Sequence, residues 1–236
     1  MVEKQLAPTI KDAQALIYTG KIFSDHHKYL NPSEKALKSE TIFLKQKRNY
    51  VSRGGDKLFS ALKSFDLFDL IKDKTILDVG SSTGGFSHCL LNNQAKLVIS
   101  LDVGYNQLAW QLRTEPRIIS IEKTDIRSFD PTKYPTIDFM TADISFNSLA
   151  KLASYLVAPF QQKKGALLLL LVKPQFELPR KDVPTGGVVT DPMKRAEAVR
   201  AVKQSFEEQG LVCTKEMECP IPGKCGNKEY FILLEN

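Results

Sequence analysis

A glycine-rich turn joins two apolar segments of the chain. Thr75–Val79 is long enough for one buried strand, and Phe86–Leu91 has the composition of the first turns of a helix. Between them, Gly80, Gly84 and Gly85 permit a tight turn, because glycine takes positive φ without steric cost. A strand, a turn and a helix N-terminus in this order surround a ligand with backbone N–H groups. The pattern predicts a nucleotide-type pocket.

Two acidic residues indicate which nucleotide would suit this turn. Asp78 lies at the carboxyl end of the first strand, and Asp102 ends the next predicted strand, Lys96–Leu101. Ser82 stands where a dinucleotide fingerprint requires the glycine that lets the backbone approach pyrophosphate. A cationic adenosine ligand without phosphates fits the two acids better than NAD, and S-adenosylmethionine is such a ligand. The alternative is an ordinary strand-to-helix turn that holds no ligand.

Four charged residues that are distant along the chain are predicted to meet at one edge of a sheet. Asp143 and Lys173 each follow an apolar, strand-like run, Glu229 opens the last such run, and Lys57 precedes a helix-like segment. Burying a lysine directly against an apolar strand is costly unless it has a partner. Asp143 and Glu229 could supply the partner of Lys173.

The residues after the fourth strand narrow the chemistry. Methyltransferases that act on amino groups place Asn/Asp-Pro-Pro-aromatic there, whereas this chain has Asp143–Phe146 (DISF). Methylation of pyrimidine carbon 5 needs a cysteine nucleophile at the same edge, and the cysteines are predicted to lie elsewhere. Oxygen remains as the acceptor. A ribose 2′-hydroxyl holds its proton tightly, so the enzyme must remove that proton or stabilise the charge that develops as it leaves. A lysine held by flanking carboxylates can do this as a base or as an electrostatic stabiliser.

Alternating strand-like and helix-like segments would position these residues. Strands are predicted at 75–79, 97–101, 117–121, 137–141, 166–172, 212–218 and 229–234, with helices near 86–93, 105–113, 145–157 and 192–209. Such alternation predicts an α/β, Rossmann-like fold with a seven-stranded, mainly parallel sheet. The last strand follows a Pro/Gly turn and is expected to be antiparallel. Active sites of such sheets lie beyond the carboxyl ends of the strands.

Two further helical patterns bear on the site. Apolar residues from Leu58 to Phe68 are spaced as one face of a helix, with Lys57 just before it on a glycine hinge. Tyr105 and Trp110 also lie at helical spacing, which favours core packing for Trp110. Stacking of these two rings on a base is the alternative.

Composition limits the kinds of protein that the chain can be. No apolar run among its 236 residues approaches the ~20 that a membrane span requires, and the N-terminus has no signal-peptide pattern, so we expect a cytoplasmic protein. The spacing of Cys89, Cys213, Cys219 and Cys225 matches no zinc site, and His26–His27 is expected to be a solvated loop, so no metal is predicted. Residues 1–53 carry ten Lys/Arg against five Asp/Glu, which suits RNA binding or a merely basic surface.

The basic N-terminal segment has a recognisable order of elements. Residues 9–20 predict a helix that begins at Thr9, has Asp12 in its first turn and ends at Gly20, and residues 40–45 predict a strand. The order resembles the S4 RNA-binding domain. The usual first helix of that domain has no counterpart in Met1–Pro8, so a small, incomplete S4-like α/β appendage is expected.

Five blocks of sequence extend the resemblance to most of the chain. The blocks are Tyr50–Leu58 (YVSRGGDKL), Leu77–Phe86 (LDVGSSTGGF), Leu101–Trp110 (LDVGYNQLAW), Val172–Glu177 (VKPQFE) and Gly186–Pro192 (GGVVTDP). They resemble the TlyA family, S4-containing relatives of the FtsJ 2′-O-methyltransferases that are often labelled haemolysins. The resemblance implies a class I fold that uses S-adenosylmethionine and methylates the ribose of cytidines in ribosomal RNA, free or in ribosomal subunits. It also implies a partial S4-like domain at 1–46, a linker at 47–56 and an FtsJ-like methyltransferase domain at 57–236.

The resemblance assigns roles to single residues as well. The Lys-Asp-Lys-Glu tetrad of FtsJ-like enzymes falls on Lys57, Asp143, Lys173 and Glu229. The implied donor contacts, beside Asp78, are Gly80, Ser82, Gly84, Gly85, Phe86, Asp102 for the ribose and Asp125 near the adenine amino group. Arg53, Arg180 and Lys181 are candidates for contacts with RNA. Two other readings stay open, a haemolysin that acts on membranes and a module that binds RNA or donor without turnover.

Overall fold

The computed structural model describes residues 1–4, 6–24, 27–37, 40–44, 49–160, 165 and 167–236. These residues belong to two units, Met1–Arg48 and Asn49–Asn236. His26 and the first two residues of the predicted linker, 47 and 48, lie outside the described residues, so the domain boundaries that the resemblance implies stay predictions.

The described part of the smaller unit contains one helix and a three-stranded sheet. Helix α1 (Ile10–Tyr18) begins as predicted, because the Thr9 hydroxyl accepts a hydrogen bond from the Asp12 N–H at 3.1 Å. Strands β1 (Ile22–Phe23), β2 (Lys28–Tyr29) and β3 (Phe43–Leu44) pair antiparallel in the order β2-β1-β3. Within its described part, the strand predicted at 40–45 is shorter than expected.

The larger unit is built on a seven-stranded sheet. Its strands, in chain order, are β4 (Thr75–Val79), β5 (Leu97–Leu101), β6 (Ile118–Ile121), β7 (Phe139–Ala142), β8 (Leu167–Val172), β9 (Val212–Glu218) and β10 (Tyr230–Glu235). Their spatial order is β6-β5-β4-β7-β8-β10-β9. Strand β10 runs antiparallel to both of its neighbours, whereas β4 to β8 pair in parallel. The prediction of a mainly parallel sheet with a late antiparallel strand is confirmed.

Among the residues that the structure describes, seven α-helices accompany this sheet. They are α2 (Arg53–Phe65), α3 (Phe68–Ile71), α4 (Gly85–Asn92), α5 (Trp110–Arg113), α6 (Leu149–Val157), α7 (Pro174–Glu177) and α8 (Pro192–Glu207). Helix α5 is shorter than the predicted 105–113, because Asn106 takes φ +58° and interrupts helical geometry. Core packing was the wrong prediction for Trp110, since its side chain is 77% exposed. Over the described part of the chain, no helix is both long and apolar enough to cross a bilayer.

The start of α2 differs from the prediction in a way that matters for Lys57. The predicted glycine hinge is wrong, because Gly54 and Gly55 form the first turn of α2 and Lys57 is its fifth residue. The helix also ends at Phe65, before Phe68, which opens α3. A Cβ on Gly55 would collide with the Tyr50 ring. The glycines therefore serve close packing and not flexibility.

The core has one apolar layer on each face of the sheet. Ile76 of β4 points into the layer that α2 and α4 cover, where Leu58 and Leu62 are fully buried. The next residue, Leu77, points into the opposite layer, which α6 and α8 cover. This alternation is the period-2 geometry of a strand buried on both faces. The same alternation determines to which face of the sheet the last residue of each strand points.

Candidate active site

The carboxyl ends of β4, β5 and β7 surround a cleft of about 460 Å³. This volume suits a small organic ligand. Of the predicted donor contacts, those that line the cleft are Gly80, Ser82, Asp102 and Asp125. Asp143 of the predicted catalytic group lines it as well.

The glycine turn is held tightly against its neighbours. Gly80 has φ +78°, and its N–H donates to the carbonyl of Leu101 at 2.9 Å. A Cβ at this position would lie only 2.7 Å from the backbone oxygen of Asp143. The Asp102 carboxylate accepts from the N–H of Ser82 at 2.7 Å and from the N–H of Gly104 at 2.6 Å. Asp102 thus shapes the turn and lines the cleft at the same time.

Asp78 lies beneath the turn and is completely buried. Its carboxylate accepts hydrogen bonds from the hydroxyls of Ser87 at 2.6 Å and Thr141 at 3.0 Å. Burial, against the opposing effect of these two bonds, raises the pKa of Asp78 to about 7. The side chain supports the turn from below, and a direct contact with a donor stays a prediction.

The raised pKa of Asp78 leads to a test of stability. The native state holds a proton here between the ordinary carboxyl pKa of 3.8 and about 7, and the unfolded state does not, so stability falls as pH rises through that window. Asp78→Asn lacks this titration. We expect its unfolding free energy, relative to the original protein, to rise between pH 5 and 8 by on the order of 2 kcal/mol. Urea unfolding at several pH values measures the difference.

The exposed Asp69, in α3, supplies the matched control for that experiment. Asp69→Asn makes the same chemical change on the surface, so it reports what the substitution itself does to stability. A pH-independent difference for Asp78→Asn would contradict the buried-carboxyl interpretation.

The other predicted donor contacts fall into two groups. Gly84, Gly85 and Phe86 are buried at the start of α4, and the Phe86 ring stacks on Phe231 with centroids 6.2 Å apart. Asp125 lines the cleft but is paired with Arg127 through contacts of 2.8 and 2.7 Å, which lower the pKa of Asp125. Their contacts with a donor stay predictions.

Two ion pairs bring the four predicted catalytic residues together at the sheet edge. Lys57 Nζ lies 2.5 Å from Glu229 Oε2, and Lys173 Nζ lies 2.6 Å from Asp143 Oδ1. Both lysines are 7% exposed and Glu229 is 2% exposed. The Lys173–Asp143 contact is short but lacks the alignment of a hydrogen bond, so Asp143 Oδ1 is buried without one from any described residue.

Strand register explains why these residues meet. Tyr230 pairs with Val172, so Glu229 and Lys173 come from adjacent positions at the ends of β10 and β8. Ala142 pairs with Leu170 in the neighbouring strand, which sets Asp143 on the other side of Lys173. Helix α2 then carries Lys57 to Glu229.

Cys219 lies nearer to this group than the sequence suggested. Its N–H donates to the carbonyl of Glu229 at 2.8 Å, so the prediction that all cysteines lie away from the edge is wrong. Burial raises the pKa of the Cys219 thiol, Lys57 lowers it, and Glu229 and Asp143 raise it further. A buried thiol with a raised pKa is a poor nucleophile, so Cys219 is not suited to the attack that carbon-5 methylation requires.

Three residues around Lys173 were not predicted as site residues from the sequence. The Ser145 hydroxyl accepts a hydrogen bond from Lys173 Nζ at 2.7 Å. Phe146 lines the cleft with φ +63° and a side chain that is 92% exposed, and its ring lies 5.3 Å from that of Phe176. A bulky residue at positive φ is uncommon outside functional sites, but only coordinates reveal it.

The candidate RNA contacts lie on the surface. Arg53 is the exposed first residue of α2, and Arg180 and Lys181 are exposed in a single 3₁₀ turn at Arg180–Asp182. Their binding to RNA stays a prediction. No group of His, Cys, Asp and Glu suited to a metal ion occurs within the described residues.

This sheet order, with a glycine turn after β4 and a cleft at the strand ends, defines a Rossmann-like class I methyltransferase fold. An S-adenosylmethionine-dependent methyltransferase from Mesorhizobium loti shares it, with a TM-score of 0.54 and 14% identity over 76% of this chain and 98% of that one. The model of the FtsJ-like methyltransferase family matches residues 50–236. The chain belongs to the FtsJ-like methyltransferase family.

Two relatives are much more similar in sequence. The chain is 38% identical to the 16S/23S rRNA (cytidine-2′-O)-methyltransferase TlyA of Mycobacterium tuberculosis over 99% of its own length and 87% of the relative. A solved structure from Streptococcus thermophilus that carries a hemolysin name has a TM-score of 0.77 and 32% identity, covering 98% of this chain and 85% of that one. The five sequence blocks therefore identified the family correctly.

Proposed function

We propose that this protein transfers a methyl group from S-adenosylmethionine to the ribose 2′-hydroxyl of cytidine in ribosomal RNA. The observation that supports this most directly is the pairing of Lys173 with Asp143, a residue that also lines the cleft beside the glycine turn. A buried lysine beside a carboxylate is suited to an acceptor with a tightly held proton. The name of the similar mycobacterial enzyme states the same reaction for that protein.

The residues of the cleft fit the proposed donor. Asp102 would hold the ribose hydroxyls and Asp125 the adenine amino group, while Gly80 and Ser82 would pack against the donor through their backbone. Asp102, Asp125 and Asp143 make the lining acidic, which suits a cationic sulfonium. When bound, the sulfonium group supplies an electrophilic methyl.

The two ion pairs would have different roles in the methyl transfer. Lys173 would accept or stabilise the proton of the 2′-hydroxyl, and Asp143 would stabilise the positive charge that Lys173 then carries. Lys57 and Glu229 close the edge beside them, where burial strengthens each electrostatic interaction. Catalysis by this group is thus a matter of preorganised charge.

Surface features support RNA as the substrate. The exposed Phe146 ring at the cleft offers a stacking surface for a base. Arg53, Arg180 and Lys181 would contact phosphates. The N-terminal segment 1–46 would act as a partial S4-like RNA-binding domain, joined through the linker 47–56 to the catalytic domain 57–236. A protein that modifies ribosomal RNA or subunits would work in the cytoplasm.

Transfer of labelled methyl groups tests the proposed function. The purified protein is incubated with labelled S-adenosylmethionine and with free rRNA or isolated ribosomal subunits, and ribose methylation is then mapped by reverse transcription. We expect label on cytidine 2′-oxygens. Donor binding without transfer to any of these substrates would favour a binding module, and lysis of protein-free liposomes by the folded protein would favour the haemolysin reading.

A further inference from the structure

Ser145 accepts a hydrogen bond from Lys173, the proposed catalytic lysine. Over the described part of the chain, the hydrogen bond that Lys173 Nζ donates goes to the Ser145 hydroxyl, at 2.7 Å. The nearby Asp143 carboxylate supplies charge at 2.6 Å but no aligned hydrogen bond. Asp143 therefore stabilises the charge of Lys173, and Ser145 sets the direction in which the nitrogen points.

The loop that carries Ser145 is anchored at both ends. At one end, the N–H of Asp143 donates to the carbonyl of Val79 at 3.0 Å. At the other, the Ser148 hydroxyl caps α6 and donates to Glu177 Oε2 at 2.6 Å. Glu177 ends α7, which begins directly after Lys173, so this second anchor ties the loop to the segment that follows the lysine.

The geometry of an amine shows what this contact achieves. A neutral lysine nitrogen has two N–H groups and one lone pair, and a protonated one has three N–H groups. Ser145 takes one N–H direction and the negative charge of Asp143 draws a second. A single position on the nitrogen, the lone pair of the neutral form, is then left for a substrate oxygen.

We propose that Ser145 is a positioning residue, which aims the free position of Lys173 Nζ at the acceptor hydroxyl. This inference rests on the proposed function. Before transfer, the ion-paired ammonium of Lys173 gives one proton to solvent and becomes the neutral amine. During transfer, the bond between the hydroxyl oxygen and the methyl carbon forms as the sulfur–methyl bond breaks, and the hydroxyl proton moves to the lone pair of Lys173. Ser145 remains hydrogen bonded throughout and exchanges no proton.

Kinetics of Ser145 variants test this role. We expect Ser145→Ala to lower kcat between about ten- and a hundredfold, because a misaimed group loses much of the advantage of orientation. KM for the donor and for the rRNA substrate should stay within about twofold of the original. Ser145→Thr keeps the hydroxyl and should restore most of kcat. Ser205→Ala, which removes a hydroxyl bonded to a carbonyl inside α8, is the matched control.

A second measurement does not depend on turnover. The ¹H–¹⁵N signal of the Lys173 amino group, assigned by its loss in Lys173→Ala, should shift in Ser145→Ala and return in Ser145→Thr. An unchanged signal, an unchanged kcat, or an effect confined to the donor KM in Ser145→Ala would each overturn the positioning role. If the original protein transfers no methyl to any rRNA or subunit, the proposed function itself fails, and this inference with it.

Discussion

Lys173→Ala is expected to lower the rate of methyl transfer by about a thousandfold, within the range that a positioned base contributes. Donor affinity should change little, because Lys173 is not one of the described residues that line the cleft. Single-turnover transfer to rRNA measures the first effect, and calorimetric titration with S-adenosylmethionine measures the second.

The controls for Lys173→Ala address folding and charge. Removing the lysine leaves the half-buried Asp143 without its counter-ion, so circular dichroism must show that the variant is folded. Lys151→Ala removes an exposed lysine on α6 and should retain full activity. Activity within tenfold of the original in a folded Lys173→Ala protein would refute the catalytic assignment.

Gly80→Ala is expected to abolish donor binding and to slow transfer beyond detection at ordinary donor concentrations. The new Cβ meets two obstacles, the φ of +78° and the backbone oxygen of Asp143 at 2.7 Å. The second is backbone and cannot rotate away, so the turn, the Asp143 segment or both must move. Either movement alters the cleft that Gly80 and Asp143 share.

Gly210→Ala separates the two causes. Gly210 has φ +84° in the turn after α8, and no atom of the described residues lies within 4 Å of the position that a Cβ would take, so this substitution introduces backbone strain alone. We expect a loss of about 1 kcal/mol in stability and normal donor binding. Equal loss of donor binding in the two variants, by calorimetric titration, would contradict a specific role for the contact between Gly80 and Asp143.

Much of the fold followed from local patterns. The strands were found because Leu167–Val172 is apolar throughout and Thr75–Val79 is largely apolar, which is typical of strands buried on both faces. The predicted helix at 105–113 was too long because the helical spacing of Tyr105 and Trp110 carries no information on Asn106, whose φ depends on the surrounding loop. Boundaries of this kind depend on tertiary contacts.

The site was predictable where strand ends define it. Asp143 and Lys173 each follow a recognisable strand, and register then brings them within 2.6 Å. Three features of the site could not be predicted in this way. They are the burial of Asp78, the position of Cys219 beside Glu229 and the hydrogen bond from Lys173 to Ser145. They depend on how side chains from separate segments share space, and a single sequence does not encode that in any short pattern.

The packing of α2 against the core links the stability of the protein to its catalytic rate. This helix supplies Lys57 to the site, while Leu58, Leu62 and Phe65 on the same helix are buried in the core. A cavity opened beneath these apolar residues would loosen the helix and carry the amine of Lys57 away from Glu229, although no residue of the cleft had been touched. Genetic screens that score activity alone would therefore assign such core lesions to the catalytic apparatus, and only a parallel assay of protein abundance would separate the two classes.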